Sequence, residues 1–287
     1  MHEIEDIFQN LNQKIMAVTL QEITKLRTMT GAGLMDCKNA LIEANNDLEK
    51  AIEIIRKKGQ AIAAKRSGRE ASEGCVLAAA KDGFAAVLAL KCETDFVAKN
   101  ADFMALTQSI LDVAMDKKPA TLDELKAFTI NGRTIADLVV DESAITGEKV
   151  ELDDYNFVKG GTTAAYIHQG NKLATIVAFK EENVDHQVAR DIAMQIAAMN
   201  PIAIDRASVP AHIIETELEI GREKAREEGK PENIIDKIAE GRLNKFFQES
   251  VLLEQTSVKD SKITIGEYLK AHHATIIDFK RVSLNLD

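Results

Sequence analysis

The feature that most constrains the fold of this chain is a pattern of apolar runs that occurs twice. Each copy consists of an apolar run, a short polar turn, a second apolar run and a longer stretch with helical periodicity. Two apolar runs that flank a glycine-containing turn are typical of a β-hairpin. Because repeated order indicates a repeated unit, we predict an α+β fold with a duplicated β-hairpin-plus-helix core. The four parts are residues 75–80, 81–83, 84–90 and 95–115 in the first copy, and 163–168, 169–171, 173–179 and 185–199 in the second.

Three helical stretches precede the first copy and predict a three-helix N-terminal module over residues 17–58. Thr19 and Glu22 form a capping-box pattern at the start of the first helix. Glycines interrupt the pattern at residues 30–33, and the polar run at residues 45–47 restarts a third helix. We interpret the basic run that follows as a linker leaving the module, and its charged residues are Lys65, Arg66 and Arg69.

Two charged helical stretches, residues 213–226 and 234–247, predict an antiparallel helical hairpin. Gly229 suits the end of the first helix and Pro231 suits the first turn of the second. Alternating charges on the outer faces predict that the hairpin protrudes into solvent. The other predicted elements are helices at residues 121–127, 134–142 and 263–270, and strands at Val150–Val158 and residues 275–282.

These patterns divide the chain into five predicted segments. The first fifteen residues precede a clean helix start and are interpreted as a flexible extension or tag. The segments are the extension at 1–15, the three-helix module and linker at 16–70, the first half of the core at 71–155, the second half at 156–208 and 244–287, and the helical hairpin at 209–243.

Charge and cysteine content narrow the partners and the compartment. Lys and Arg total 36 against 46 Asp and Glu, so the net charge of −10 has the wrong sign for binding a phosphate backbone, and we expect no direct nucleic-acid partner. The three cysteines lie far apart and cannot all pair within the chain, which favours a reducing, cytoplasmic compartment. No apolar run reaches the roughly 18 residues of a membrane span, and residues 1–15 lack the features of a targeting leader.

The chain shows no arrangement typical of an enzyme or of a nucleotide-binding loop. Residues 30–37 read TGAGLMDC, which lacks the third glycine, the preceding strand and the GK[ST] ending of phosphate loops, so we interpret them as helix punctuation. His168 has no Ser, Cys or Asp partner in a nucleophile motif, which favours a contact residue and argues against a hydrolase. We expect no cofactor and no metal, so any effect on a nucleotide must act through a partner.

Four motifs, in order along residues 16–287, resemble the signatures of the elongation factor Ts family. The motifs are Leu26-Arg27 with the run from Thr30 to Leu41, the run from Cys92 to Ala98, Tyr166-Ile167-His168 with Gly170, and Gly229-Lys230-Pro231 with the run from Ile238 to Leu243. The three-helix module, in turn, resembles ubiquitin-associated domains. Agreement in four places and in the same order makes chance similarity negligible.

The resemblance implies a guanine nucleotide exchange factor that binds elongation factor Tu, in its GDP-bound and nucleotide-free forms, without covalent chemistry. It implies that a helix tip intrudes beside the magnesium and phosphate site of that GTPase and loosens GDP. The residues of the tip are Thr94, Asp95, Phe96 and Val97. The residues that the resemblance implies as other partner contacts are Arg27, Leu34, Met35, Lys38, Thr146, Gly147 and His168.

Three residues keep two interpretations each. In a continuous helix from Asp95, Phe96 shares an apolar face with Phe103 and with residues further along, so periodicity alone favours a core phenylalanine. The resemblance favours an exposed one. Leu34 and Met35 fit a core position and a surface position equally well.

A protein-interaction scaffold without exchange activity is the alternative function, because a helical module and a protruding hairpin both suit partner recruitment. The sequence leaves open a homodimer through the core or the hairpin. Two departures from the family pattern also stand out. Lys91 replaces the asparagine that is common before Cys92, and the sequence ends at Asp287 without the C-terminal helical module of some relatives, so we expect that module's contact to be absent or replaced.

Overall fold

The computed structural model describes residues 18–284, so the predicted extension at residues 1–15 lies outside the described residues. The chain divides into two compact units, each built from several segments. Unit 1 comprises the residues up to Cys75, Leu90–Ser109 and Ala120–Asp153, and unit 2 comprises Val76–Ala89, Ile110–Pro119 and the residues from Asp154 onward. The five-segment division of the sequence stays a prediction.

Three helices open the described chain, as the sequence predicts. They are α1 (Leu20–Thr30), α2 (Leu34–Glu43) and α3 (Leu48–Arg66). Thr19 and Glu22 form the reciprocal capping box at the start of α1, and Asp47 caps α3 by accepting from the amide of Lys50. Gly31 ends α1 in the left-handed region at φ 68°, a conformation that favours glycine. The glycine-rich run is therefore helix punctuation, as its sequence indicates.

The third helix is longer than predicted, because α3 continues to Arg66 and takes in Lys65 and Arg66, two of the three basic residues interpreted as a linker. Packing within unit 1 explains the extension. A Cβ added to Gly59 would lie 3.0 Å from the Cβ of Ala144, which shows how closely α3 approaches the helix that carries Ala144. Arg56 of α3 also pairs with Asp137 of the same neighbouring helix at 3.2 Å. Tertiary contacts thus stabilise a stretch for which local sequence signals an end.

The first hairpin consists of β1 (Glu73–Lys81) and β2 (Phe84–Cys92), as predicted. The helix after it is not continuous, which corrects the single helix predicted over residues 95–115. One turn, α4 (Asp95–Ala98), is followed by a separate helix, α5 (Ala101–Lys117). Asn100 causes the restart, because its side-chain oxygen accepts from the amide of Asp102 at 2.8 Å and so caps α5.

The segment between the two copies contains α6 (Leu122–Ala127), α7 (Ile135–Thr146) and the strand β5 (Glu151–Lys159), in agreement with the sequence. It also contains a hairpin of two-residue strands that the sequence analysis missed, β3 (Thr129–Ile130) and β4 (Arg133–Thr134). Asn131-Gly132, both at positive φ, form its turn and are the signal that could have revealed it. The strands β1, β2 and β5 form one sheet in the order β1-β2-β5.

The second copy lies in unit 2 and contains the strands β6 (Thr162–Ile167) and β7 (Leu173–Phe179) and the helix α8 (His186–Met199). The last strand, β8 (Ile276–Ser283), pairs antiparallel with β7, so the sheet order is β6-β7-β8. One face of β7 and β8 packs with the unit 2 parts of the first sheet. The buried residues of this cluster include Val76, Val87, Val158, Ile176 and Val282.

The predicted helical hairpin is present as α9 (Ala211–Glu227) and α10 (Glu232–Ser250). Gly221 allows the two helices to approach closely, because a Cβ added there would lie 3.0 Å from the Cα of Ala239. Exposed ion pairs such as Arg222 with Asp236 at 2.8 Å join the outer faces. A short helix, α11 (Ile265–Ala271), precedes β8.

Two further findings concern the described residues as a whole. Within residues 18–284, no helix combines the length and the apolar character needed to cross a membrane. The three cysteines, Cys37, Cys75 and Cys92, are all free thiols and all buried.

The two glycines inside the hairpin helices give a matched test of its packing. Gly221→Leu should destabilise the chain by about 1–3 kcal/mol, because the new side chain meets the backbone of α10. Gly241→Leu should instead stabilise α10 by about 0.5–1 kcal/mol, because Gly241 has open space around it and leucine favours helix. Thermal unfolding followed by far-ultraviolet circular dichroism measures both changes. Equal effects of the two substitutions would contradict the close approach at Gly221.

Candidate functional site

The one-turn helix α4, which follows β2 after Glu93 and Thr94, presents the most exposed large apolar side chain of the described residues. Phe96 is 84% exposed, although it is an apolar aromatic residue. Its neighbours in α4 are less accessible, since Val97 is half-buried and Ala98 is buried. The ring of Phe96 therefore points away from the core, and the interpretation of Phe96 as a core residue is wrong.

The break at residues 99 and 100 explains why periodicity misplaces Phe96. In a continuous helix the ring would share a face with Phe103, Ile110 and Ala114, which are all completely buried. Because α5 starts anew at Ala101, its apolar face has no fixed phase relation to α4. The exposure of Phe96 follows from this interruption.

The first turn of α4 is held by its own side chains. Thr94 is the N-cap, with its hydroxyl accepting from the amide of Val97 at 3.5 Å. Asp95 forms an ion pair with Lys99 at 2.7 Å, one helical turn further on. The acid beside the exposed ring is therefore half-exposed and already paired with a cation.

A carboxylate from a second loop binds the entrance of this turn. Glu148, just after α7, accepts hydrogen bonds from the amides of Glu93 and Thr94, both at 3.0 Å. Its other oxygen accepts from the hydroxyl of Thr94 at 2.6 Å. The thiol of Cys92 donates to the carbonyl oxygen of Thr94 at 3.2 Å. Burial raises the pKa of Cys92 to about 12, so this group is a thiol donor at neutral pH.

Glu93 in turn accepts hydrogen bonds from the loop that carries Glu148 and from basic residues at and just after the end of α3. Its Oε1 accepts from the amide of Lys149 at 2.6 Å and from Arg66 at 3.0 Å, and its Oε2 accepts from Arg69 at 2.9 Å. The backbone amide of Lys149, helped by the two guanidinium groups, lowers the pKa of Glu93 from 4.5 to about 2. Arg66 and Arg69, two of the basic residues that the sequence indicates as a linker, thus bind the residue next to the N-cap.

The predicted contact residues of the three-helix module are accessible to a partner. Arg27 is exposed at the end of α1, and Leu34 and Met35 are 45% and 61% exposed in the first turn of α2. Lys38 is half-buried on the same helix. This resolves the two interpretations of Leu34 and Met35 in favour of the surface.

The Gly31 turn of the module lies against the end of α7, within unit 1. A Cβ added to Gly31 would come within 2.7 Å of the Cδ1 of Ile145, so a larger residue would displace the end of that side chain. Ile145 directly precedes Thr146 and Gly147. The structure therefore brings the module turn and the predicted contacts at residues 146 and 147 to the same region.

Thr146 and Gly147 also have local roles that explain their residue types. The hydroxyl of Thr146 donates to the carbonyl of Glu142 at 2.7 Å. Gly147 ends α7 in the left-handed region at φ 70°. Both residues are half-buried, and together they set the direction in which Glu148 leaves the helix.

His168 belongs to unit 2, where it is exposed after the end of β6. Its Nδ1 lies 3.0 Å from the hydroxyl of Tyr166, and its amide donates to the carbonyl of Leu173. Among residues 18–284, no group of three or more His, Cys, Asp or Glu side chains could hold a metal ion.

The segment of Glu93 and Thr94 with the first turn of α4, here called the Thr94 turn, is held by residues that the sequence did not reveal. These residues are Glu93, Glu148, Arg66 and Arg69. Glu148 lies more than fifty residues from Thr94 along the chain, so no local pattern links the two. The one available signal is the position of Glu148 directly after Thr146-Gly147.

The lowered pKa of Glu93 predicts a specific pH dependence. A carboxylate with a depressed pKa contributes stability that is present above its unfolded-state pKa and is lost as the pH falls through the folded-state pKa. That window runs here from 4.5 down to about 2. Glu93→Gln should therefore lower the thermal midpoint above this window, and the difference from the wild type should shrink as the pH falls within it.

Glu53→Gln is the matched control, because Glu53 pairs with Lys57 in an exposed position where solvent screens the interaction. Thermal midpoints of the three proteins across the acidic range give the comparison. A constant difference between Glu93→Gln and wild type at every pH would contradict the predicted linkage.

Comparison with known proteins identifies the family. A family model described as Elongation factor TS matches residues 93–285. An elongation factor Ts of Porphyromonas gingivalis (strain ATCC 33277) is 62% identical over 275 residues, which is 95% of this chain and 100% of that protein.

Two more distant relatives match over the same shares of both chains. An elongation factor Ts of Azobacteroides pseudotrichonymphae is 54% identical over 274 residues, and one of Phocaeicola vulgatus is 47% identical over 331 aligned positions. The chain therefore belongs to the elongation factor Ts family, whose members are translation elongation factors.

Proposed function

We propose that this chain binds elongation factor Tu and acts as its guanine nucleotide exchange factor in the cytoplasm. The observation that carries the proposal is the exposed ring of Phe96, presented on a turn whose backbone is fixed by hydrogen bonds. The chain itself makes and breaks no covalent bond in this role. It favours the nucleotide-free state of its partner and so speeds the release of GDP.

A fixed turn suits an intruding aromatic side chain for energetic reasons. Phe96 is 84% exposed, so almost its whole apolar surface is available for burial by a partner. Burial of a phenylalanine contributes roughly 1.5–3 kcal/mol. Because the backbone of Thr94 is already ordered, little further conformational entropy is lost on docking.

Asp95 adds charge beside the ring. A carboxylate near the nucleotide repels the phosphates and offers magnesium an alternative oxygen ligand. The ion pair with Lys99 holds Asp95 on the solvent side of α4. We propose that the acid and the ring enter the magnesium and phosphate site together, flanked by Thr94 and Val97.

One side chain cannot supply the whole effect. A thousandfold faster release requires about 4 kcal/mol, which exceeds the contribution of a single phenylalanine. We therefore assign further contacts to exposed or half-buried residues outside the turn. These residues are Arg27, Leu34, Met35, Lys38, Thr146, Gly147 and His168.

The net charge of −10 supports a protein partner, with no direct contact to nucleic acid. Whether a homodimer forms through the core or through the α9–α10 hairpin stays a prediction of the sequence. The elution volume of the chain, compared with that expected for a 31.5 kDa monomer, distinguishes a monomer from a dimer.

Phe96→Ala tests the proposal directly. The substitution should leave the fold intact, because the ring has little contact with its own chain. It should slow the stimulated release of GDP by roughly 10- to 150-fold, the kinetic equivalent of about 1.5–3 kcal/mol. Stopped-flow release of fluorescent GDP from elongation factor Tu measures the rate.

Ile234→Ala is the matched control, since Ile234 is also an exposed large apolar residue but lies on α10, which carries none of the predicted contacts. With the Ile234→Ala variant, elongation factor Tu should release GDP at the same rate as with the wild-type chain. An unchanged rate for Phe96→Ala would remove the ring from the mechanism.

A second prediction follows from thermodynamic linkage. If the chain weakens GDP binding to elongation factor Tu by some factor, GDP must weaken binding of the chain by the same factor. Calorimetric titration of the chain into nucleotide-free and GDP-bound elongation factor Tu should therefore give clearly different affinities. Equal affinities for the two forms would favour a scaffold without exchange activity.

A further inference from the structure

We propose that Glu148 is a positioning residue for exchange, acting through the Thr94 turn. Its carboxylate fixes the direction in which Asp95 and Phe96 leave the protein surface. The inference rests on the proposed function and adds to it a residue that touches neither GDP nor magnesium.

Glu148 makes three hydrogen bonds to one short segment. It accepts from the amides of Glu93 and Thr94, both at 3.0 Å, and from the Thr94 hydroxyl at 2.6 Å. Hydrogen bonds to an ionised acceptor are stronger than those between neutral groups. All three donors lie immediately before Asp95, so the carboxylate acts where the turn begins.

The direction of the Thr94 hydroxyl links Glu148 to the N-cap of α4. Its hydrogen is donated to Glu148, which leaves its lone pairs for the amide of Val97. The N-cap bond of α4 therefore depends on an acceptor outside the helix. Without Glu148 the hydroxyl is free to rotate, and the single turn that carries Phe96 loses its defined start.

Both the carbonyl and the amide of Thr94 have hydrogen-bond partners. Its carbonyl accepts from the amide of Ala98 at 3.2 Å and from the thiol of Cys92 at 3.2 Å. Glu148 supplies the partner for its amide. Removal of the carboxylate would leave the amide side of a half-buried turn unpaired.

Glu148 is itself held in place by the residues that precede it. Gly147 ends α7 at φ 70°, and the amide of Glu148 donates to the hydroxyl of Thr146 at 3.3 Å. The next amide, that of Lys149, donates to Glu93 at 2.6 Å. Two loops thus exchange carboxylate–amide bonds in both directions, an arrangement we call the carboxylate clasp.

The clasp predicts a particular kinetic signature. Because Glu148 acts on the pose of the turn, its loss should lower the maximal rate of GDP release and leave the half-saturating concentration nearly unchanged. The contacts made by the three-helix module supply binding that does not pass through the turn. A purely structural role would lower the rate only in proportion to lost folded protein.

Glu148→Ala and Glu148→Gln form the test series. Glu148→Ala should reduce the maximal rate of GDP release about tenfold or more, with half-saturation within about twofold of wild type. Glu148→Gln should recover part of the rate, because the amide oxygen accepts the two backbone bonds and the amide nitrogen donates to the Thr94 hydroxyl. Stopped-flow release at increasing concentrations of the full chain separates the two parameters.

A second readout does not depend on the partner. Hydrogen–deuterium exchange at the amides of Glu93 and Thr94 should be faster in Glu148→Ala than in wild type, while exchange in α5 stays the same. This measurement also keeps the proposal testable if Glu148→Ala expresses poorly, because Glu148→Gln should show an intermediate exchange rate.

Glu267→Ala is the matched control. The carboxylate of Glu267 accepts from both the amide and the hydroxyl of Thr264, the N-cap of α11, so it makes the same type of contact in unit 2. Its loss should reduce stability in a similar way and leave GDP release unchanged.

Three results are decisive. If wild type accelerates GDP release and Glu148→Ala does so equally, the assignment of Glu148 is wrong and the proposed function stands. If Glu267→Ala slows release as much as Glu148→Ala, the effect is general destabilisation and the assignment is again wrong. If wild type leaves GDP release unchanged, the proposed function fails, and the role of Glu148 in exchange fails with it.

Discussion

The structure around the candidate site depends on one constraint, that backbone amides in a half-buried turn must find acceptors. The segment between β2 and α4 is neither strand nor helix, so its amides have no partners in regular structure. Glu148 supplies acceptors for the amides of Glu93 and Thr94, and Glu93 supplies one for Lys149. The exposed position of Phe96 follows from this arrangement, because an ordered backbone keeps the ring out of the core.

The same constraint links distant parts of unit 1. Glu93 also binds Arg66 and Arg69, so the end of α3 and the Thr94 turn share one carboxylate. Helix α3 packs on α7 through Gly59, and Glu148 directly follows Gly147, the C-cap of α7. The candidate contacts of unit 1 therefore belong to one connected framework of helices and loops.

Most of the fold was predictable because its signals are local. Capping at Thr19, the glycine turn at residue 31 and the alternation of apolar runs and polar turns all act over a few residues. The predicted helices and strands appear, except that the helix predicted over residues 95–115 is divided into α4 and α5. One failure arises where tertiary contacts override local signals, and the other arises from a local cap inside the predicted helix. Helix α3 extends past its predicted end because of α7, and the break at Asn100 reverses the burial expected for Phe96.

The candidate site was predictable only in part, and for a related reason. The motif from Cys92 to Ala98 identified the turn through its resemblance to a family. The residues that hold the turn come from segments tens of positions away, and their roles depend on geometry that no sequence window contains. The exposure of Phe96 depends on a two-residue interruption of the helix that periodicity does not register.

The buried thiols described above have a practical consequence for spectroscopy. Thiolate is the form that reacts with alkylating fluorophores, and a pKa of about 12 leaves Cys92 almost entirely protonated at neutral pH. Cys37 and Cys75 are sequestered in the interior as well. A single cysteine introduced on the surface would therefore be the preferred labelling position, so a dye could be attached without first removing the natural cysteines.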